Sequence, residues 1–386
     1  MPPRNASVGG DGFRFYPWQG GDTPINREYN AVEPSDLLSV TSIRTLAGTP
    51  FQLVAWQIAN VVNVAMGTRK ITTIGPRGGV KESYAKDGLF PGEFVTRMIA
   101  TRGAQDQLDE VRKWLRASAD EPRDVAAVRG SVTHKMIEMR LPLSVLDDDT
   151  IRQHFAAQWA QEKRKVKPEV LDDDVHFVAN AMAQYWDMRQ QVPFIVIAQE
   201  PQVYNLTAGY GGSADVLLWF LGNWVQKHDD PERAPEWKFV PLPAADKMTA
   251  PLQKAADAGV ITLADVKKIG GQLAVGDWKT SKSVYTSHVC QTIAYMSAEF
   301  VAYDGVIDKR LSDLLNAANL GMVIQVRPDH WEVDLFEQRQ DVLRAFLGSV
   351  AFARFLALFK EPTELFIHSI SGKAAGTLQS EVADDE

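Results

Sequence analysis

Val275-Gly276-Asp277-Trp278-Lys279-Thr280, read beside Gly211-Gly212-Ser213-Ala214-Asp215-Val216-Leu217-Leu218, decides what kind of chain this is. Each segment has the length and apolar character of a short strand, yet each carries a carboxylate among its apolar residues. Side chains two apart on a strand share a face, so Asp277 and Lys279 project together while Trp278 faces the other way. An aspartate and a lysine on an apolar strand are costly to bury unless they serve each other or an ion. Asp215, on a neighbouring strand, would complete a site for a hard, oxygen-preferring cation such as Mg2+ or Mn2+. An isolated D-x-K is more often a solvated pair on an edge strand, so the reading rests on what accompanies it.

Composition narrows the field. A chain of 386 residues holds one large domain or two of ordinary size. Its 45% hydrophobic and 23% charged residues are those of a globular protein with a sizeable core. The net charge of −8 excludes a global basic field, so nucleic-acid contact would rest on a local patch or a bound cation. A single cysteine, Cys290, excludes a disulfide framework, a cysteine-rich zinc site and an iron–sulfur cluster held by cysteines. The start, Met1 to Ala6, lacks the apolar stretch of a signal peptide. Leu343 to Leu358, the nearest approach to a membrane-length run, is broken by Arg344 and Arg354. The expectation is a cytoplasmic protein with no membrane partner.

In chain order, residues 1–36 are rich in Gly, Pro, Asn and Asp and read as an extended arm. A helical extension is expected over 37–120, with a helix opening near Leu38 to Ile43, another from about Pro50 to Met66, and helices from about Pro91 to Ala119. Ile71 to Gly92 reads as a glycine-rich loop. The stretch Val125 to Glu138 reads as a helix with small residues in its first turns, and His134 and Glu138, four apart, share one face. Two periodic helices follow, over about 148–165 and 172–190. The aspartate runs 147–149 and 172–174 at their starts read as caps for free N–H groups rather than metal clusters. The basic run Lys163 to Lys167 reads as a solvated helix end or a phosphate-contacting patch, the first favoured because charge runs are usually solvated.

From Phe194 the period changes to that of strands: a meander through Phe194 to Glu200 and Val203 to Leu206 leads into the Asp215 strand. The gap to Asp277 is far longer than a hairpin needs, so about 222–271 reads as an insertion of loop and short helix. A helix carries Gln291 and Tyr295 on one face. A strand over Gly321 to Arg327, a hairpin partner at His330 to Leu335, and a helix from Arg339 to Phe359 follow. Residues 361–386 form a polar tail.

Four quoted pieces now stand in order: Gly130-Ser131-Val132-Thr133-His134, Gly212-Ser213-Ala214-Asp215, Gly276-Asp277-Trp278-Lys279-Thr280 and Gln291-Thr292-Ile293-Ala294-Tyr295. This order resembles the PD-(D/E)XK nuclease superfamily, in its RecB-like and Cas4-like exonuclease branch. The resemblance covers about Val125 to Arg327. Ser39 to Ile43, with Trp56 downstream, also looks like the start of bacteriophage members. One departure is plain: some relatives carry four cysteines for an iron–sulfur cluster, so this chain looks like the cluster-free, phage type.

The resemblance implies a fold and a chemistry. The fold is α/β: a mixed central sheet flanked by helices, a restriction-endonuclease-like core over 121–360. His134, Asp215, Asp277 and the carbonyl of Trp278 would bind one or two Mg2+ or Mn2+ ions. Asp215, Asp277 and Lys279 would be catalytic in phosphodiester hydrolysis of linear double-stranded or single-stranded DNA. Gln291 and Tyr295 would hold the substrate backbone or Lys279, and Thr280, Ser281 and Lys282 would meet phosphates. Glu138 and Glu200 would support the metal ligands. The setting implied is phage recombination, replication or DNA degradation in a host cytoplasm, with a homo-oligomer or recombination partner in view. The competing reading keeps the fold and drops the chemistry, leaving a module that binds DNA or protein without cutting. Convergence of His134, Asp215, Asp277 and Lys279 on one point is the geometric expectation that separates both from coincidence.

Overall fold

A computed structural model describes residues 7–8, 14–17, 36–40, 43, 70–74, 80–84, 125–161, 171–226, 237–281 and 283–358. The chain is α/β, with mixed sheets flanked by helices. Three short strands come first: β1 (Ser7–Val8), β2 (Arg14–Pro17) and β3 (Asp36–Ser39). A hairpin, β4 (Lys70–Ile74) with β5 (Val80–Tyr84), follows. Next are helices α1 (125–139), α2 (Asp148–Gln161) and α3 (Asp172–Gln191). Strands β6 (Phe194–Gln199), β7 (Gln202–Asn205), β8 (Tyr210–Ser213), β9 (Val216–Phe220), β10 (Gly222–Gln226) and β11 (Trp237–Pro241) lead to helices α4 (Ala245–Asp257) and α5 (Leu263–Ile269). The remainder is β12 (Gln272–Lys279), α6 (Thr286–Met296), β13 (Phe300–Tyr303), β14 (Val306–Asp308), α7 (Lys309–Asn316), β15 (Leu320–Val326), β16 (Trp331–Glu337) and α8 (Gln340–Leu358).

The sheet that matters has five strands in the order β16-β15-β12-β9-β6. Only β12 and β15 run parallel. A parallel pair needs a long crossover, and α6, the β13–β14 hairpin and α7 provide it. Both faces are covered, and strand alternation sorts the residues between them. Leu218, Phe220, Ala274, Trp278, Met322 and Ile324 turn toward α1, α2 and α3, meeting Val132, Met136, Val178 and Tyr185. Leu217, Trp219, Leu273 and Val275 turn the other way, into a core with Ala294, Tyr295, Leu311, Leu314 and Phe346. Asp277 and Lys279 continue that second row.

A seven-stranded sheet, β1-β2-β3-β8-β7-β13-β14, lies beside it in sequence and shares the chain with it. The expected meander is in fact split: β6 pairs with β9 in the first sheet, while β7 and β8 form a hairpin in the second. The chain crosses between sheets twice at one level. There Glu200 donates its N–H to the Asp215 carbonyl at 3.0 Å, and Ala214 donates to that of Pro201 at 3.2 Å. Glu200 adopts a left-handed φ of 47°, which only the crossing requires.

Other expectations change as well. Leu38 and Ser39 lie in β3, not in a helix; Leu38 is buried and pairs in parallel with Tyr210, and Val40 and Ile43 are helical. The segment read as a loop over Ile71 to Gly92 contains the β4–β5 hairpin, because Ile71, Thr72 and Thr73 outweigh the glycines that punctuate it. The helices expected over 50–66 and 91–119, and the tail beyond 358, lie outside the described residues. Within 222–271 stand the β10–β11 hairpin, α4 and α5, and Ala245, Ala256, Ile261 and Val266 enter the main core. Gln253 of α4 clasps the edge strand: its Oε1 accepts from the Val196 N–H, and its Nε2 donates to the Val196 carbonyl, both at 3.0 Å. The aspartate runs behave as caps. Asp147 accepts from the Thr150 N–H at 2.8 Å, and Asp174 from the Leu171 N–H at 3.0 Å.

Candidate active site at the end of the central sheet

Asp277 and Lys279 occupy the last turns of β12, where the ladder to β15 ends with Lys279 opposite Gln325. Asp277 is 0% exposed. Lys279 Nζ stands 2.5 Å from Asp277 Oδ2 and donates to its neighbour's carbonyl, that of Trp278, at 3.2 Å. Even so, neither Asp277 oxygen makes a hydrogen bond of regular geometry. A carboxylate so placed is under-satisfied, since burial penalises its charged form. Burial accordingly pushes its pKa up to about 6, with the Lys279 charge opposing and the Asp215 charge adding to the rise.

Asp215 does not sit within a strand, as expected, but in the bend between β8 and β9, where the chain changes sheets. That position frees its side chain from the strand alternation and turns it to β12. Its Oδ2 accepts the Trp278 N–H at 2.8 Å and lies 3.8 Å from His134 Nδ1. His134 comes from α1, on the opposite face of the sheet from α6. Burial and the Lys279 charge push its pKa down to about 4, so at neutral pH its imidazole is uncharged and keeps a lone pair. The backbone of Trp278 also hydrogen-bonds His134. His134, Asp215, the Trp278 backbone, Asp277 and Lys279 thus form one chain of contacts.

Small residues let the elements close on this point. A Cβ on Gly130 would stand 3.0 Å from Thr280 Oγ1, and one on Gly212 would stand 2.7 Å from the Tyr295 ring. On α6, Gln291 Nε2 donates to Tyr295 Oη at 2.8 Å, and both side chains are buried. Glu138 and Glu200 meet beside His134. Burial raises the Glu138 pKa, the Lys135 hydrogen bond at 2.7 Å opposes it, and the Glu200 charge raises it further. Ser281 Oγ donates to the Ser283 carbonyl at 2.9 Å. Lys282 lies outside the described residues.

Two residues here escaped sequence reasoning. Gln325 Nε2 donates to the Ser281 carbonyl at 3.0 Å, and Arg327 donates to the Thr280 carbonyl at 3.3 Å. The signal was available: Gln325 interrupts the apolar run Met322 to Val326 as Asp277 interrupts its own strand.

Among the described residues, no three His, Cys, Asp or Glu side chains are already gathered as a metal-holding group. The donors nevertheless suit a hard divalent cation: the buried Asp277 carboxylate, the Asp215 carboxylate, an uncharged imidazole and the Trp278 carbonyl. Among the described residues no helix is long and apolar enough to cross a membrane. No protein-family model matches the chain, and no curated protein matches it.

Proposed function

We propose that this chain is a metal-dependent deoxyribonuclease, an exonuclease on a restriction-endonuclease-like core of the RecB-like and phage kind. The observation that carries the reading is the convergence of a fully buried Asp277 with Lys279, Asp215 and His134 at one end of the sheet. A structural ion pair needs one counter-charge; a second carboxyl and an uncharged imidazole gathered at the same buried point suit a ligand set.

His134, Asp215, Asp277 and the Trp278 carbonyl would hold one or two Mg2+ or Mn2+ ions. Such an ion supplies polarisation of the phosphate and an acidified water. The chain's own residues do the rest. Asp215 is oriented by the Trp278 N–H, with the same oxygen 3.8 Å from His134 Nδ1 and the carboxyl in contact with that of Asp277. Lys279 directs a compact positive charge at the phosphoryl oxygens and orients the attacking water. The water oxygen bonds to phosphorus as one of its protons passes to solvent, and the P–O bond to the sugar breaks, its oxygen leaving with the bonding pair and taking a proton from solvent to become the hydroxyl. Gln291 and Tyr295, tied to each other on α6 and with the Tyr295 ring against Gly212, would contribute to holding the substrate backbone or Lys279.

The test is linear double-stranded and single-stranded DNA, labelled at each end separately, with Mn2+, Mg2+ or EDTA and a Lys279→Ala control. Metal-dependent loss of label, absent from the control, is the expected result, and the labelled end gives the polarity. The Lys279 ammonium already seated on Asp277 favours a second reading, a DNA-binding or protein-interaction module that does not cut. A wild type that shifts DNA in a gel but releases no label under any metal would establish it.

A further inference from the structure

We propose that Gln325 is a positioning residue: its amide clasps the turn that follows Lys279 and so fixes where the Lys279 ammonium is delivered. The proposal rests on the nuclease reading above. In a parallel pair, residues in register share a face, and β12 matches Asp277 with Val323 and Lys279 with Gln325. The ladder ends there. Beyond Lys279 the backbone leaves the sheet, and side chains of β15 and its extension take over the hydrogen bonds a continuing strand would have made. Gln325 holds the Ser281 carbonyl, and Arg327, two residues on and on the same face, holds that of Thr280.

Gln325 is 3% exposed, and a buried amide without a partner costs about 1–3 kcal/mol. A leucine or methionine would suit the strand better, so the bond to Ser281 is what justifies an amide at this position. The turn is boxed from the other side as well, where Thr280 Oγ1 lies against Gly130 on α1, one turn before His134. Lys279 is a long, flexible side chain whose ammonium must reach both Asp277 and a phosphate. Immobilising the next two carbonyls removes the backbone freedom that would let it wander. A misplacement of about 1 Å at such a group costs on the order of 10²-fold in rate.

The experiment uses the full chain and two variants, Gln325→Met and Arg327→Met, with Mn2+ and end-labelled linear DNA. Gln325→Met is expected to lower kcat by about 10-fold to 10²-fold with KM within about threefold, the pattern of a group acting only in the transition state. Backbone amides over 280–285 should exchange hydrogen faster in the same variant. Arg327→Met should move both in the same direction by less, its bond being longer. Unchanged kcat in folded Gln325→Met overturns the proposal, and so does unchanged exchange over 280–285. A kcat loss that merely tracks a lowered melting temperature, with KM rising alongside, also overturns it in favour of a structural role. A wild type that cuts no DNA sinks the nuclease reading itself, and with it the catalytic half of the inference. Unchanged exchange beside an active wild type removes the clasp alone.

Discussion

Among the described residues, two buried carboxylates have a cation beside them, and they are treated in opposite ways. Asp174, in the first turn of α3, accepts from Arg129 Nε and from the Leu171 N–H, with the guanidinium lying 5.5 Å from the centre of the Phe177 ring. Every feature of that pair is explained by holding α1 against α3. Asp277, at the end of β12, has its lysine at 2.5 Å and yet no regular hydrogen bond to either oxygen. Burial with a counter-charge is common to both. What separates the strut from the proposed site is the second carboxyl and the imidazole brought to the same point.

The contrast can be broken, starting from its largest consequence. Lys279→Ala or Asp277→Ala should cut DNA hydrolysis by roughly 10²–10³-fold or more, with the circular dichroism spectrum unchanged. Arg129→Met should leave the rate per folded molecule alone. Full activity in a clean Lys279→Ala preparation would put both pairs in the same structural class.

The second consequence concerns pH. Unfolded, Asp277 loses its proton near the ordinary value of 3.8; folded, it keeps it to about 6. Between those values the native state binds more protons, so stability falls as pH rises and the full penalty stands above about 6. The gap is worth on the order of 3 kcal/mol. Without added metal, Asp277→Asn should therefore be more stable than wild type at pH 8, and no more stable at pH 3.5, by urea midpoint. His134 has the opposite sign. Its folded pKa of about 4 lies below the ordinary 6.5, so its contribution is present above 6.5 and is lost as pH falls toward 4. His134→Gln should flatten that acid limb.

Next in size, Arg129→Met strands Asp174 and should cost about 2 kcal/mol, read from the denaturant midpoint. The smallest effect sharpens the comparison instead of breaking it. Gly130→Ala sets a methyl 3.0 Å from Thr280 Oγ1, in contact with the site but not with the Asp174 pair. It should cost about 1 kcal/mol or less in stability, with a larger fractional loss in kcat than Arg129→Met shows.

The parts of this arrangement that announce themselves in sequence are those fixed by local pattern. β12 was legible because a charged pair interrupts an apolar strand, and α6 because Gln291 and Tyr295 fall on one face. The caps at Asp147 and Asp174 followed from helix ends having free N–H groups. The position of Asp215 did not follow. Its bend exists because β8 and β9 belong to different sheets, a long-range fact that no window of residues contains. The same crossing hid the split of the expected meander. β3 resembles a helix start in sequence because its partner, β8, lies some 170 residues further on and supplies the pairing that overrides local preference. Gln325 was passed over because one glutamine in a strand has no pattern until its register beside Lys279 is known.

The clasp of Gln253 on Val196 has a consequence for life at high concentration. Among the described residues β6 is one of the two outer strands of the central sheet, β16 being the other, and an outer strand of Phe194, Ile195, Val196 and Ile197 is a template on which another chain can pair. One side-chain amide presents donor and acceptor to the same backbone unit and occupies it as a neighbouring strand would. That edge of the sheet is thereby capped from within, by a residue of α4, and addition of a foreign strand is opposed at the point where β6 is most apolar.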